Sequence, residues 1–416
     1  MTLVNLEVDI TRCSAELERL AQFSDVPAPA VQRVVFTETD VAAREYLASL
    51  FHEAGLAVRH DAVGNIFARL EGREPTLPPI ATGSHTDAIP YSGKYDGTVG
   101  VLGGLEAIRT LQRAGASRPR RSIDLIMFTS EEPTRFGYGC LGSRLLSGQL
   151  DPAVAAKLVD ESGTTLDEAR AAARYRDPLP SVRLPRDAYA GFVELHIEQG
   201  PRLEKAGIPI GAVTAIAAPA ALRVRYTGPG GHAGGVLMAD RSDPLLPASQ
   251  LALEVDAAAR ESGGSDTVGT VGVLDVHPRA VNSIPRDVML EIDIRDIDGP
   301  RRDRVLERIQ QKAKEFGQRY GAPTTIELIN SDPPATCGDE IVAAVEAAAQ
   351  AAGLQCQRMI SRAYHDSLFM SLVCPIGMIF IPCRDGISHR PEEYASPEAI
   401  RAGVEVLART LAKLAG

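Results

Sequence analysis

Residues with the chemistry of metal ligands occur in five short segments of this 416-residue chain. Each segment follows a predicted strand, and ligands of α/β proteins bind beyond the carboxyl ends of strands. We therefore expect these side chains to converge in space. Imidazole and carboxylate together suit zinc, manganese or a similar divalent ion. The segments are GSHTD (His85, Asp87), KYDG (Asp96), SEE (Glu131, Glu132), ELHIEQG (His196, Glu198, Gln199) and ISHRPEE (His389).

The acids in these segments indicate how two ions could share one site. A carboxylate such as Asp96 can bridge two ions, whereas an imidazole cannot. Of the adjacent Glu131 and Glu132, one can bind an ion while its neighbour stays free as a base.

Each segment alone also has an ordinary structural interpretation. A histidine at a strand end is often only hydrogen-bonded, Asp96–Gly97 is a common turn pair, and Glu131–Glu132 fits a solvated strand end. Their coincidence favours a metal site, because three of only eight histidines occur in such segments, each beside an acid.

Strand and helix patterns alternate through the first two hundred residues. Leu47, Leu50 and Phe51 recur at helical spacing, and another buried helical stripe begins just after Asp96. The apolar runs in LPPIATGSH and RSIDLIMFTSEE read as buried strands that end at the polar segments. This order predicts an α/β sheet covered on both faces.

The pattern changes from about residue 210. In ALRVRYTGPGG, and again in DVMLEIDIRDID, apolar and polar residues alternate, which is typical of an antiparallel sheet with one wet face. Helical patterns in PASQLALEVDAAARES and from Val305 to Phe316 complete a separate α+β layer. We place this inserted domain at 211–326 and the catalytic domain at 1–210 and 327–416.

Composition excludes some functional classes. The formal charge of −10 argues against a nucleic-acid partner, which usually selects a basic face. No stretch approaches the roughly 18 apolar residues of a membrane span, and the N-terminus lacks a secretory pattern. Six scattered cysteines without a CxxC pair predict reduced thiols in the cytoplasm.

The collinear order of the motifs resembles one known family. GSHTD, KYDG, SEEPTRFG, LHIEQGP, GGHAG, NSIP and SHRPEEY are similar to motifs of the co-catalytic metal amidohydrolases. These include N-carbamoyl-L-amino-acid, allantoate and ureidoglycolate amidohydrolases. The resemblance implies a metallopeptidase-like catalytic domain with a mixed, mainly parallel sheet, plus an inserted α+β domain that serves for dimerisation and as a lid. The expected assembly is a homodimer.

The resemblance also implies a ligand set for two divalent ions per subunit, Mn²⁺ or Zn²⁺. One ion would be held by His85, Asp96 and His196, and the other by Asp96, Glu132 and His389. Peptide-cleaving relatives usually have an acid at the position of His196, so histidine there favours the carbamoylase branch.

The implied catalytic residues are Glu131, Asp87 and His232. Glu131 would be the general base, and Asp87 would orient the His85 ring from outside the ligand shell. His232 would polarise the scissile carbonyl, within its own subunit or across the dimer. The alternative interpretation is that His232 is an ordinary turn histidine among glycines.

The implied substrate-binding residues include a carboxylate-gripping pair, Asn282 and Arg295. Arg295 falls on the polar face of its predicted strand and can offer a bidentate fork. The alternative interpretation is that Arg295 forms a surface salt bridge to Asp293 or Glu291. The remaining candidates for orienting a small substrate are Gln199, His232, Tyr364 and His365.

Two departures from the family pattern favour ureidoglycolate as the substrate. The stretch AIAAPAALRV lacks the extra arginine that many carbamoylases and allantoate amidohydrolases carry. Tyr364 replaces a usual glycine, which should shrink the pocket. The implied reaction yields glyoxylate, ammonia and carbon dioxide in purine catabolism.

Other functions remain open on the sequence. The alternatives are an N-carbamoyl-L-amino-acid hydrolase or an allantoate amidohydrolase, and more distantly a metallo-dipeptidase. A non-catalytic dimeric relative is also conceivable, but it should have lost Glu131 or a ligand, and all are present.

Overall fold

The computed structural model describes residues 6–114 and 118–416. The chain divides into two compact units, Met1–Thr214 with Thr336–Gly416, and Ala215–Ala335. The boundaries predicted from sequence were 211 and 326. The second unit extends beyond 326 because the strand Thr324–Ser331 pairs with the strand Ala218–Thr227.

The helices and strands are numbered here in chain order. The helices are α1 Ile10–Ala21, α2 Glu38–Glu53, α3 Thr98–Arg113, α4 Leu141–Ser147, α5 Pro152–Ala155, α6 Leu166–Ala172, α7 Arg202–Ala206, α8 Leu245–Arg260, α9 Gly299–Arg319, α10 Asp339–Ala351, α11 Asp366–Met370 and α12 Pro397–Ala415. Short 3-10 turns lie at Leu179–Val182, Met238–Asp240 and Arg384–Gly386. The strands are β1 Val31–Arg33, β2 Ala57–His60, β3 Ile66–Leu70, β4 Ile80–His85, β5 Ala88–Ser92, β6 Ile123–Phe128, β7 Gly191–Ile197, β8 Ile210–Ile216, β9 Ala218–Thr227, β10 Gly231–His232, β11 Val268–His277, β12 Ser283–Ile284, β13 Asp287–Asp296, β14 Thr324–Ser331, β15 Ala335–Thr336, β16 Cys356–Ser361 and β17 Ile376–Ile381.

The first unit is built on a mixed sheet. Across the described residues its order is β15-β8-β17-β7-β4-β6-β3-β2, with β16 beside β8. The central strands β17, β7, β4 and β6 are parallel, whereas β8, β3 and β2 join antiparallel. Every residue of the four central strands is buried, as parallel strands with both faces covered require. The mixed α/β fold is confirmed, and its parallel pairing is confirmed for the central strands.

The parallel strands bring distant polar residues to one edge of the sheet. His85 ends β4 and His196 lies one residue before the end of β7, while Glu131 and Glu132 follow β6. Helix α3, which begins after Asp96–Gly97, packs against β4 and β7. The order of strands therefore explains why residues more than a hundred positions apart meet.

The second unit is an antiparallel sheet with helices packed against it. Within residues 215–335, all of which the structure describes, the main sheet has the order β11-β13-β9-β14. Leu222, Val224 and Tyr226 are buried with residues of α8 and α9 in one apolar core. Arg223, on the other face, forms salt bridges with Glu291 and Glu327. The predicted alternation and the two predicted helices are confirmed.

Two predictions from composition concern thiols and membranes. The cysteines are free, and all but Cys356 are buried. Burial raises the pKa values of Cys337 and Cys374 to about 12, so these thiols stay protonated at neutral pH. Among the described residues, every helix is too short or too polar to cross a membrane.

Candidate active site

Asp96 lies at the centre of a cluster of three histidines. Its Oδ1 is 3.5 Å from His85 Nε2 and 3.2 Å from His196 Nε2. Its Oδ2 is 3.4 Å from His389 Nε2. The two carboxylate oxygens therefore face different histidines, which is the geometry that a bridging ligand needs.

Glu132 completes the second half of the cluster. Its Oε1 is 3.3 Å from His389 Nε2. Two groups of possible ligand atoms, each within 4.8 Å of one another, are His85–Asp96–His196 and Asp96–Glu132–His389. These groups have the same members as the two ligand sets implied by the resemblance, and their occupancy by metal stays a prediction.

The carboxylates and imidazoles of this cluster strongly shift one another's pKa values. Burial would raise the pKa of Asp96, but the neighbouring His196, His389 and His85 outweigh it and hold that pKa well below its usual range. Hydrogen bonds to Asp96 and Glu132 raise the pKa of His389 to about 11. Carboxylates and imidazoles together form a donor set that fits zinc or manganese, and a bound ion would have to displace the proton of His389.

The Asp96–Gly97 pair is also a turn, as its ordinary interpretation required. Gly97 has φ 63° and precedes α3. A Cβ at Gly97 would lie 2.4 Å from the His85 ring, so only glycine allows this approach. The Gly97 N–H donates to His196 Nε2 at 3.1 Å, and a metal ion would have to take over that lone pair.

Glu131 lies beside the two ligand groups that contain Asp96 and belongs to neither of them. Its Oε2 is 3.8 Å from His85 Nε2, and Cys140 Sγ donates to its Oε1 at 3.5 Å. Burial raises the pKa of Glu131 well above its usual range, against the opposing effect of His85. A buried carboxylate with a raised pKa accepts protons readily, which is the property of a general base.

Asp87 holds the backbone of the two glutamates. Its Oδ1 accepts from Glu131 N at 3.1 Å and its Oδ2 from Glu132 N at 2.9 Å. The His85 Nδ1 is bonded to the main-chain oxygen of Asp87 at 3.1 Å, whereas the Asp87 carboxylate lies 3.7 Å away. Asp87 is therefore bonded to the His85 ring through its carbonyl and to the two glutamates through its carboxylate, and its role in orienting a metal-bound His85 stays a prediction.

Three residues predicted to bind substrate contact other protein groups in this structure. Gln199 Nε2 donates to Asp96 Oδ2 at 2.7 Å. His365 is buried, with Nε2 2.8 Å from Ser361 Oγ and its ring 4.6 Å from that of His196. The Tyr364 ring stacks on a neighbouring phenylalanine at 6.2 Å. Their roles toward substrate stay predictions.

The other predicted substrate residues belong to the second unit. His232 is exposed, and its Nδ1 accepts from Gly234 N at 3.2 Å. The main-chain oxygen of Asn282 accepts from Ala233 N at 2.8 Å. Arg295 forms a salt bridge to Asp293 at 2.9 Å, which is the alternative considered from sequence. A substrate carboxylate would have to replace Asp293.

One buried carboxylate beside the site, Glu194, was not predicted from the sequence. Glu194 accepts from Ser84 Oγ at 2.7 Å and from Ser367 Oγ at 2.6 Å. It also forms a group of possible ligand atoms with His196 and His365. The signal for it was a glutamate inside the apolar run GFVELHI, since a charged residue in a buried strand needs partners.

Comparisons with known proteins give consistent matches along the chain. The model of peptidase family M20/M25/M40 matches residues 81–413. Ureidoglycolate hydrolase of Oryza sativa subsp. japonica is 53% identical over 98% of this chain and 85% of its own. An N-carbamoyl-L-amino acid amidohydrolase of Geobacillus stearothermophilus is 37% identical over 96% of this chain and 97% of its own. A crystal structure of AtUAH in complex with glyoxylate has a TM-score of 0.88 and 51% identity and covers 100% of both chains.

Proposed function

This chain belongs to peptidase family M20/M25/M40, and from this membership we propose that it hydrolyses ureidoglycolate with the help of two divalent metal ions. The observation that carries the proposal is that two ligand groups share Asp96 in a chain 53% identical to a ureidoglycolate hydrolase. The glyoxylate in the related crystal structure supports this choice, because glyoxylate is the carbon product expected from ureidoglycolate.

The metal centre uses the five residues of the two groups. His85, Asp96 and His196 would hold one ion, and Asp96, Glu132 and His389 the other. When bound, such a pair supplies Lewis-acid activation of water and of the ureido carbonyl. Manganese and zinc both suit three imidazoles and two carboxylates.

The protein's own groups account for the proton transfers and for substrate orientation. Glu131 takes a proton from the attacking water and returns it to the leaving nitrogen, as its burial and raised pKa allow. Asp87 holds Glu131 in position through the Glu131 N–H. Gln199, Tyr364 and His365 are proposed to orient the small substrate.

The second unit is proposed to serve as the dimerisation and lid domain that the resemblance implies. His232 would polarise the ureido carbonyl. Arg295 and Asn282 would bind the substrate carboxylate, with Arg295 exchanging Asp293 for the substrate. A homodimer in the cytoplasm is part of this proposal.

A substrate panel tests the proposed reaction. The manganese- and zinc-loaded protein is assayed with ureidoglycolate, allantoate and N-carbamoyl amino acids, and a chelator-treated sample serves as the metal-free control. We expect kcat/KM for ureidoglycolate to exceed the others by about tenfold or more, and chelation to abolish turnover. Preference for a carbamoyl amino acid would contradict the substrate but leave the metal mechanism standing.

Tyr364→Gly tests why this chain would prefer the smaller substrate. The Tyr364 ring packs on Phe369 and lies 5.8 Å from the guanidinium of Arg144, and its removal opens space. We expect kcat/KM for a carbamoyl amino acid with an apolar side chain to rise roughly tenfold relative to ureidoglycolate. Tyr364→Phe is the matched control and should retain the original preference. An unchanged ratio in the glycine variant would show that Tyr364 does not limit the pocket.

A further inference from the structure

A buried carboxylate joins the segment that carries His389 to the loop that carries Asp96. Glu393 is 4% exposed. Its Oε1 accepts from Tyr95 N at 2.8 Å and from Asp96 N at 3.0 Å. Its Oε2 lies 3.0 Å from Ser388 Oγ, and that hydroxyl donates to Asp96 Oδ2 at 2.5 Å. Ser388 therefore connects the two carboxylates directly.

The two segments are fitted closely to each other. A Cβ at Gly93 would lie 2.4 Å from both Cβ and Oε1 of Glu393, so only glycine leaves room for this carboxylate. The rings of Tyr95 and Tyr394 meet edge to face at 5.9 Å. These contacts flank the Glu393 hydrogen bonds, so the position of one segment determines that of the other.

The position of the His389 side chain depends on neighbouring contacts more than the positions of His85 and His196 do. His85 Nδ1 is bonded to Asp87 O at 3.1 Å and His196 Nδ1 to Ile197 O at 2.9 Å, and both residues belong to central strands. His389 lies in a loop, its side chain is 44% exposed, and its φ of 59° is left-handed. Its Nε2 faces Asp96 and Glu132. A left-handed non-glycine residue persists only where neighbouring contacts hold it.

We propose that Ser388 and Glu393 are positioning residues that set the affinity of one metal ion, the ion held by Asp96, Glu132 and His389. Ser388 bonds to Asp96 Oδ2, and Glu393 bonds to Asp96 N and to Ser388, whereas Asp96 Oδ1 faces His85 and His196. Residues that orient ligands from outside the shell typically change metal affinity ten- to a hundredfold. The inference rests on the two-ion centre of the proposed function. It states that Ser388 and Glu393 support one of the two ligand groups more than the other.

Metal titration of matched variants tests this inference. Wild type, Ser388→Ala, Glu393→Ala, Glu393→Gln and Glu392→Ala are titrated with Mn²⁺ alone, and bound metal is counted at equilibrium. Glu392 is the control, because it is exposed and pairs with Arg390. We expect Ser388→Ala and Glu393→Ala to weaken one of the two Mn²⁺ affinities by about 10- to 100-fold and to leave the other near its wild-type value. Glu393→Gln retains an acceptor for the two N–H groups and should lose less.

Each outcome bears on the inference. Wild-type affinities at both sites in Ser388→Ala, or an equal fall at both, would overturn it while leaving the proposed function intact. Failure of the wild-type protein to bind either Mn²⁺ or Zn²⁺, each titrated separately, would overturn the inference and the proposed function together. Thermal melting checks that each variant is folded. If Glu393→Ala does not fold, the two Mn²⁺ affinities of Ser388→Ala alone test the inference.

Discussion

Glu131→Gln is expected to lower kcat by about 10²- to 10⁴-fold while leaving the metal content unchanged. The amide has the shape of the carboxylate but cannot take a proton from water. Glu131 belongs to neither ligand group that contains Asp96, so its charge is not needed to hold an ion. Turnover with ureidoglycolate and metal analysis of the same sample measure the two effects.

The adjacent glutamate is the matched control for this result. Glu132→Gln changes the same chemical group one residue away, but Glu132 shares a ligand group with Asp96 and His389, so we expect it to lose metal. Near-normal kcat in Glu131→Gln would refute its role as the base. Loss of metal in Glu131→Gln would show that Glu131 is a ligand.

Asp96→Asn is expected to abolish tight binding of both ions and to lower kcat by more than about a thousandfold. The neutral amide offers one oxygen, whereas the carboxylate presents Oδ1 to His85 and His196 and Oδ2 to His389. Bound metal after dialysis and turnover are the measurements.

Asp385→Asn is a suitable control for the bridging residue. Asp385 is exposed on the loop that leads to His389, and its left-handed φ of 56° is one that asparagine tolerates. It should bind metal and turn over as wild type does. Retention of two tightly bound ions by Asp96→Asn would contradict the bridging role.

The convergence of the ligands could be predicted because it follows from parallel strand order. His85, Glu132 and His196 each lie at or just beyond the end of a central parallel strand, and such ends meet at one edge. The inserted unit could be predicted because strands with one wet face alternate, as Arg223 and Tyr226 show. Polar residues at strand ends and alternating apolar and polar residues are both visible within short stretches of sequence. The sequence alone is therefore enough to predict them.

Features that depend on long-range packing could not be predicted. Glu393 reads as one of two adjacent glutamates, yet it bonds to Asp96 N across 297 positions of sequence. The contact of the His365 ring with that of His196 was not predicted either, and the proposed role of His365 toward substrate stays a prediction. Asp87 was predicted to orient the His85 ring, and nothing in the sequence indicated that its carboxylate would also hold two backbone N–H groups. Side-chain partners of this kind are determined only when the tertiary fold brings the segments together.

Anomalous diffraction from crystals of the manganese-loaded protein tests the central claim most directly. We expect two manganese peaks roughly 3.5–4 Å apart, with one oxygen of Asp96 next to each. His85 and His196 should bind the first ion, and Glu132 and His389 the second. Peaks located elsewhere, or no peak within bonding distance of Asp96, would contradict the account.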